Sequence, residues 1–119
     1  MPDARFPVET VDGVPVVVAP EEIDITNAGG LREALIEAAG RGPGGFVVDM
    51  SRTQFCDTAG IHALVLAHKR AEAASGKVRL VITGPAVLRI FAITGLDDVI
   101  PHFASLEEAL AATSRGAEE

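Results

Sequence analysis

The sequence predicts a single α/β domain with a mixed sheet of four to five strands and about four helices. Three observations predict it: strand-like apolar runs alternate with helical segments, an Asp-Gly pair separates the first two runs, and 119 residues suit one domain. Strands that alternate with helices pair in parallel through right-handed crossovers, whereas a tight turn joins antiparallel neighbours. We expect one domain over residues 1–119, with a frayed tail from about Ser114.

The first two strands are predicted from β-branched residues and a turn signal. Residues 6–10 and 14–19 are apolar runs on either side of Asp12-Gly13, which is a hairpin signal. Pro15 has no peptide N–H, so it favours either an edge position or the start of a strand. The hairpin makes the predicted sheet mixed, since the later strands are expected to be parallel.

Helical spacing, end signals and apolar runs predict the later elements. Apolar residues at helical spacing predict helices over residues 26–39, 59–75 and 85–94. Short apolar runs predict strands at residues 46–50, 78–82 and 99–103. Pro85 near the first position and Gly95 just past the end mark the third helix. Ser105 and Glu108 form a capping box that opens a last helix through Ala112.

The composition argues against several classes of function. A net charge of −7 and an aromatic content of 4% disfavour direct nucleic-acid binding, which needs a basic field and exposed stacking side chains. One cysteine excludes an internal disulfide, and the N-terminus has no apolar signal-peptide run. The apolar stretches are too short to span a bilayer. These features predict a cytoplasmic protein that contacts no membrane.

Neither a cofactor site nor a catalytic site is predicted. Residues 40–45 match G-x-G-x-x-G, but they follow a helix and precede a strand, the reverse of a dinucleotide-binding loop. His62 and His68 point to different sides of one helix, and His102 lies near the last strand, so we expect no metal site. The chain lacks a matched acid, base and nucleophile, and we expect it not to be an enzyme.

The helix predicted over residues 59–75 has two faces on a helical wheel. One face is made mostly of small residues, which suits close packing on a sheet: Gly60, Ala63, Leu64, Ala67, Ala71 and Ala74. The opposite face carries His62 and charged residues, together with Val65 and Leu66. These two aliphatic residues are either incidental exposed side chains or part of a docking surface, and the sequence leaves both interpretations open.

A carboxylate and a hydroxyl, Asp57 and Thr58, stand at the start of this helix, after Cys56. Asp and Thr are both preferred N-cap residues, worth about 1 kcal/mol, and capping needs no further function. The alternative is phosphorylation of Thr58, which free first-turn N–H groups and the helix dipole would tolerate. The phosphate would then block a partner by repulsion and desolvation. Cys56 is predicted to be a small buried hydrophobe rather than a redox group.

The same stretch carries a family resemblance. Asp57-Thr58-Ala59-Gly60, after Val47-Val48-Asp49-Met50-Ser51, resembles the D-S-x-G signature of bacterial anti-sigma-factor antagonists, in the STAS-domain family. Further matches follow the family's order along the chain: Glu22-Ile23-Asp24, Gly84-Pro85-Ala86-Val87, Ile93-Thr94-Gly95-Leu96 and Ser105-Leu106-Glu107-Glu108-Ala109-Leu110. Together they cover nearly the whole chain.

The resemblance implies a mixed sheet with helices and a regulatory function. Family members bind an anti-sigma factor that is also an ATP-dependent serine kinase, and this binding frees the sigma factor. Phosphorylation of the hydroxyl after the signature aspartate ends the binding, and a phosphatase restores it. By position, Thr58 is the phosphoacceptor, Asp57 is the signature carboxylate, and Asp24 lies in a turn of the binding surface. This chain has threonine where family members commonly carry serine, and Ala59 supplies no second hydroxyl.

Two functions of different classes follow from these observations. The first is an anti-sigma-factor antagonist that binds an anti-sigma factor with serine/threonine kinase activity and is switched off at Thr58, with a phosphatase acting on phospho-Thr58. The second is a STAS adaptor subunit of a larger complex, such as a lipid transporter or a stress-sensing assembly, with Thr58 only a helix cap. The candidate partner-binding residues are Asp24, Asp57, Thr58, Gly60, His62, Val65 and Leu66.

Overall fold

Strands and helices alternate along the part of the chain that the computed structural model describes, residues 6–41 and 44–118, with side chains described as far as Thr113. The strands there are β1 (Val8–Val11), β2 (Val14–Val18), β3 (Glu22–Ile23), β4 (Phe46–Met50), β5 (Phe55–Cys56), β6 (Val78–Ile82) and β7 (His102–Phe103). The helices are α1 (Ala28–Ala39), α2 (Thr58–Ala73), α3 (Pro85–Thr94) and α4 (Leu106–Glu118), with a 3-10 helix at Leu96–Asp98.

Five of the strands form one mixed sheet in the order β1-β2-β4-β6-β7. β1 and β2 are antiparallel, and the other neighbours are parallel, which confirms the predicted α/β class. The hairpin turn has positive φ at both central residues, Asp12 at 53° and Gly13 at 80°, as a type I′ turn requires. β3 and β5 form a separate parallel pair. The sequence did not predict these two strands, because two residues are too few to show a period.

Pro15 lies near the start of β2, but β2 is an interior strand between β1 and β4. The edge position that the proline allowed is therefore wrong, and the strand-start position is right. Parallel pairing with β4 begins at Val16, one residue after Pro15. The missing N–H is tolerated because the ladder on that side has not yet begun.

Helices cover both faces of the sheet. The larger apolar cluster lies under α1, α2 and α3, and includes Leu35, Leu64 and Phe91 on the helices and Val48 on β4. The smaller cluster lies under α4 and contains Val14, Val16, Val47, Val81 and Ala109. Adjacent residues of β4 serve different clusters because successive strand side chains point to opposite faces.

α3 spans the predicted residues, with Gly95 at φ 78° just past its end. α1 ends at Ala39 and α4 begins after Ser105, both as predicted. The other helix ends differ from the predicted ones. α1 begins after Thr26, which is held in a turn. α2 ends at Ala73, and the left-handed residue that follows is Ser75, with φ 64°, rather than Gly76. α4 continues past Ala112 into the tail that was expected to fray, as far as Glu118.

Two further sequence features bear on the described residues. The loop at residues 40–45 lies partly outside them. Across the described residues, the helices are too short or too polar for any of them to cross a membrane.

Candidate functional site

The site begins where the short β3–β5 ladder ends. The peptide N–H of Asp57 donates to the carbonyl oxygen of Ile23 at 2.9 Å, which extends the pairing beyond Ile23 and Cys56. Asp24 is the next residue after Ile23, so the register places it beside Asp57. The structure therefore brings together two of the predicted site residues that are far apart in the sequence.

Asp57 is the N-cap of α2. Its backbone is extended, with φ −89° and ψ −174°, and its Oδ1 accepts the N–H groups of Ala59 at 2.9 Å and Gly60 at 3.2 Å. These two bonds satisfy backbone donors that have no partner inside the helix. Of the two caps that the sequence allowed, Asp57 performs the role.

Thr58 is the first helical residue, and its side chain is exposed. Its hydroxyl makes no hydrogen bond to any residue within the described ranges. The expectation of free first-turn N–H groups for a phosphate is wrong for Ala59 and Gly60, because Asp57 already occupies both. A phosphate on Thr58 would therefore stay at the surface of the helix end.

Asp24 opens a hydrogen-bonded turn that leads into α1. Its Oδ1 accepts the hydroxyl of Thr26 at 2.5 Å and the N–H of Thr26 at 2.9 Å. These hydrogen bonds, that of the hydroxyl first, lower the pKa of Asp24 below its usual value. Asn27 Oδ1 accepts the N–H of Asp24 at 2.9 Å, and Asn27 Nδ2 donates to the carbonyl of Glu22 at 2.8 Å. The Asp24 carboxylate is thus ionised at neutral pH and held in one orientation.

Gly60 is buried where the first turn of α2 crosses the β3–β5 pair. A Cβ at this position would lie 2.6 Å from both Cys56 Sγ and Ile23 Cγ2. The glycine is therefore required for close packing, and its buried position makes its predicted role in partner binding an indirect one. Cys56 is buried, as the sequence predicted. Burial, and to a lesser degree the charge of Asp57, raises the pKa of the thiol to about 12, so it stays protonated at neutral pH.

The other candidate residues of α2 differ in exposure. His62 is exposed, whereas Val65 and Leu66 are half-buried. Leu66 lines an apolar crevice between α1 and α2 together with Leu35 and Arg70. It lies two turns from Thr58, so the structure does not bring it to the helix start. Ala74, expected on the buried face, is exposed because α2 ends before it.

Two exposed apolar side chains beside the site were missed by the sequence analysis. Ile25 is 79% exposed and Phe55 is 47% exposed. Phe55 is paired with Glu22 in the β3–β5 ladder, so both side chains point to the same side. There is little reason in the sequence to expect them at the surface, because apolar residues are usually buried. Their proximity along the chain to Asp24 and Asp57 is the one feature that could have indicated it.

A metal site is not formed by the residues that the structure describes, since no three of their His, Cys, Asp or Glu side chains cluster. His68 is buried on α2, with its Nε2 3.5 Å from Glu72 Oε2, whereas His62 is exposed. The arrangement offers an accessible Thr58 hydroxyl next to the Asp57 carboxylate, at the end of the ladder that also carries Asp24.

Comparisons with known proteins agree with this fold. The family model of the STAS domain matches residues 5–109. The anti-sigma-F factor antagonist RsfB of Mycobacterium tuberculosis is 30% identical over 105 residues, which are 88% of this chain and 85% of RsfB. The crystal structure of an anti-sigma factor antagonist from Mycobacterium paratuberculosis has a TM-score of 0.83 and 32% identity, and the match covers 92% of each chain.

A third comparison concerns the fold alone. The Bacillus cell fate determinant SpoIIAA, solved in its phosphorylated form, has a TM-score of 0.69 at 23% identity, over 90% of this chain and 97% of that one. The matched region of the family model runs from before β1 into α4 and so contains the whole sheet. The chain belongs to the STAS-domain family, among its anti-sigma-factor antagonists.

Proposed function

We propose that the protein binds an anti-sigma factor that is also an ATP-dependent serine/threonine kinase, and that phosphorylation of Thr58 ends this binding. A phosphatase acting on phospho-Thr58 restores the binding form, and the cycle takes place in the cytoplasm. The unmodified protein holds the anti-sigma factor and thereby leaves the sigma factor free. The chain itself performs no catalytic step, because the kinase and the phosphatase supply the chemistry.

The observation that carries this proposal is the division of roles between Asp57 and Thr58. Asp57 caps α2, so the fold does not need the Thr58 hydroxyl. A threonine that serves only as a helix cap would use its hydroxyl on a first-turn N–H, and here that place is taken. The exposed hydroxyl is therefore available to a modifying enzyme without loss of the fold.

The surface proposed to contact the partner surrounds this hydroxyl. Asp24 and Asp57 lie beside each other at the end of the β3–β5 ladder, and His62 is exposed one turn along α2 from Thr58. Val65 is half-buried further along the same helix. Gly60 supports this surface from below by allowing α2 to approach Cys56.

The relatives support the same function. RsfB is named as an anti-sigma-F factor antagonist, and SpoIIAA has been solved in a phosphorylated form. The two properties correspond to the two halves of the proposed cycle, binding and modification. The acceptor here is a threonine, whose extra methyl group and β-branch the kinase must accommodate.

The test is phosphate transfer from labelled ATP by each histidine-kinase-like anti-sigma factor of the source genome, expressed and purified. We expect one phosphate per chain, none in Thr58→Ala, and retained transfer in Thr58→Ser. Thr10→Ala is the matched control, because Thr10 is an exposed threonine on β1, outside the site, and should not change the stoichiometry. Undiminished labelling of Thr58→Ala by every kinase would contradict the assignment of Thr58.

The adaptor alternative is tested by purifying the native complex. In its stated form it assigns Thr58 the role of cap, which Asp57 performs in the structure. We expect an anti-sigma factor among the partners. Recovery of a membrane-transport ATPase without an anti-sigma factor would contradict the antagonist function.

A further inference from the structure

We propose that the modification at Thr58 blocks the partner by its bulk and not by like-charge repulsion, because the partner surface that fits this site is basic. This inference rests on the proposed function. It replaces the repulsion expected from the sequence with a specific partner chemistry: a cationic protein surface with an apolar depression.

The relevant surface is here called the β3–β5 face and consists of Glu22, Asp24, Phe55, Asp57 and Thr58, together with the turn residue Ile25 that directly follows Asp24. The ladder register puts Glu22 opposite Phe55, with both exposed. The next register position holds the buried Ile23 and Cys56, and the one after it holds Asp24 and Asp57, which therefore alternate to the same outward side as Glu22 and Phe55. Thr58 follows directly at the start of α2.

The charge of the β3–β5 face has one sign. The two segments that build it, residues 21–27 and 54–61, contain four carboxylates and no lysine or arginine. The nearest basic residue along the chain is Arg52, which lines an open groove with Glu21 and Gln54, at the ends of these segments that lie beside the start of α3. The whole chain carries −7, so the surrounding field reinforces this sign. A partner that buries these carboxylates must supply cations, since unpaired buried charges are costly.

Besides its carboxylates, the β3–β5 face carries two exposed apolar side chains. Ile25 is 79% exposed and Phe55 is 47% exposed, and both lie within the acidic segments. Large apolar side chains ringed by polar ones are typical of the centre of a protein interface. We therefore assign Ile25 and Phe55 as apolar anchors and the carboxylates around them as the rim that selects a basic partner.

A phosphate on Thr58 would be attracted by a basic partner, not repelled. Its negative charge has the same sign as Asp24 and Asp57 and adds to the field that draws cations. The loss of binding must then come from volume, because the added group projects from the helix end into space that the partner fills. The phosphate cannot fold back onto the N–H groups of Ala59 and Gly60, because the Asp57 carboxylate already accepts both of them.

The experiment compares Thr58→Glu with Thr58→Gln, side chains of nearly equal size that differ by one charge. Binding is measured by surface plasmon resonance against the purified anti-sigma factor kinase identified by phosphate transfer. We expect both variants to weaken binding by about tenfold or more, and to agree with each other within about threefold. Thr58→Ser, which is smaller than threonine, should bind as the wild type does.

Salt dependence gives a second readout on the phosphorylated protein. Raising ionic strength from about 0.1 M to about 1 M shortens the Debye length from about 10 Å to about 3 Å. If repulsion caused the block, the affinity ratio between unmodified and phosphorylated protein would fall towards one. We expect the ratio to stay constant or to widen.

The basic partner surface is tested with Glu22→Gln, which removes one carboxylate from the β3–β5 face. We expect a slower association rate and a weaker dependence on salt. Glu107→Gln is the matched control, because Glu107 is an exposed glutamate on α4, across the sheet from α2, and should change neither. Tighter binding by Glu22→Gln would overturn the proposal.

The outcomes separate this inference from the function on which it rests. Normal binding by Thr58→Gln with lost binding by Thr58→Glu would overturn the role of bulk and leave the proposed switch intact. Salt-restored binding of the phosphorylated protein would do the same. Normal binding by both variants, or no binding of any kinase by the wild type, would overturn the proposed function and this inference with it.

Discussion

At the scale of single residues, Asp57 and Thr58 divide two roles that their residue types would allow either to perform. The Asp57 carboxylate reaches the N–H groups of both Ala59 and Gly60, and it leaves the neighbouring hydroxyl with no structural task. Modification of the exposed Thr58 hydroxyl at the helix end should therefore change the stability of the fold very little. This division makes the Asp-Thr pair suitable as a reversible switch.

A substitution at Gly60 tests the close approach of α2 to the β3–β5 pair. In Gly60→Ala the new Cβ would stand 2.6 Å from Cys56 Sγ and from Ile23 Cγ2, so α2 must shift away from the β3–β5 pair. We expect a loss of about 1–3 kcal/mol in the free energy of unfolding, measured by urea denaturation. The loss should be accompanied by weaker partner binding, because Asp57 and Thr58 move with the helix.

The control is Gly29→Ala, in the first turn of α1, where a Cβ would meet nothing within 4 Å. Alanine is the better helix former, so this variant should gain about 0.5–1 kcal/mol. Equal stabilities of the two variants would show that the close approach at Gly60 does not constrain α2.

At the scale of elements, the β3–β5 ladder is the part of the fold that makes the site. It joins segments about thirty residues apart and sets Asp24 beside Asp57. Two-residue strands have few hydrogen bonds of their own, so they depend on the turn that anchors them. That turn is held by Asn27, which bonds both Asp24 and Glu22.

Asn27→Ala is predicted to loosen this anchor. It removes one acceptor and one donor, and we expect a loss of about 1–2 kcal/mol. Hydrogen exchange should show lost protection in β3 and at the start of α1, with the central strands β4 and β6 unchanged. Asn27→Asp keeps Oδ1 as an acceptor but replaces the donor to Glu22 with a charged oxygen, so we expect it to lose protection as well. Wild-type protection in Asn27→Ala would refute the anchor.

At the scale of the whole molecule, the sheet carries two apolar layers of unequal size. The larger layer supports α1, α2 and α3 and therefore the site, whereas α4 alone covers the smaller layer. Arg79 is buried on the α4 side of β6, where its Nη1 makes a long hydrogen bond of 3.4 Å to Thr113 Oγ1. Burial lowers the pKa of this guanidinium. Because α4 packs on a separate apolar layer, we expect that changes in α4 leave the β3–β5 face intact.

Ala109→Asp tests this separation. It places a carboxylate in the smaller layer, where Ala109 is 0% exposed, and we expect a loss of about 3 kcal/mol or more. Hydrogen exchange should report opening of α4 before α1 and α2. The matched control is Ala111→Asp, at an exposed position of the same helix, which should stay within about 0.5 kcal/mol of wild type. Simultaneous loss of protection in all helices would contradict the separation.

The sequence alone determined the features that depend on local chemistry. Asp12-Gly13 specified the hairpin turn, Pro85 and Gly95 specified the limits of α3, and Ser105 specified the start of α4. Each of these depends on side chains within a few residues of one another, so the pattern is readable along the chain. The ordered motifs around Asp57 likewise sufficed to identify the family.

The tertiary structure alone decided which residues face each other. It made β2 an interior strand, it brought Asp24 beside Asp57, and it buried Gly60 against Ile23. It also left Ile25 and Phe55 exposed, against the usual behaviour of apolar side chains. Pairing between two-residue strands and contacts across one missing Cβ leave no periodic signal in a sequence, because their energy comes from segments distant along the chain.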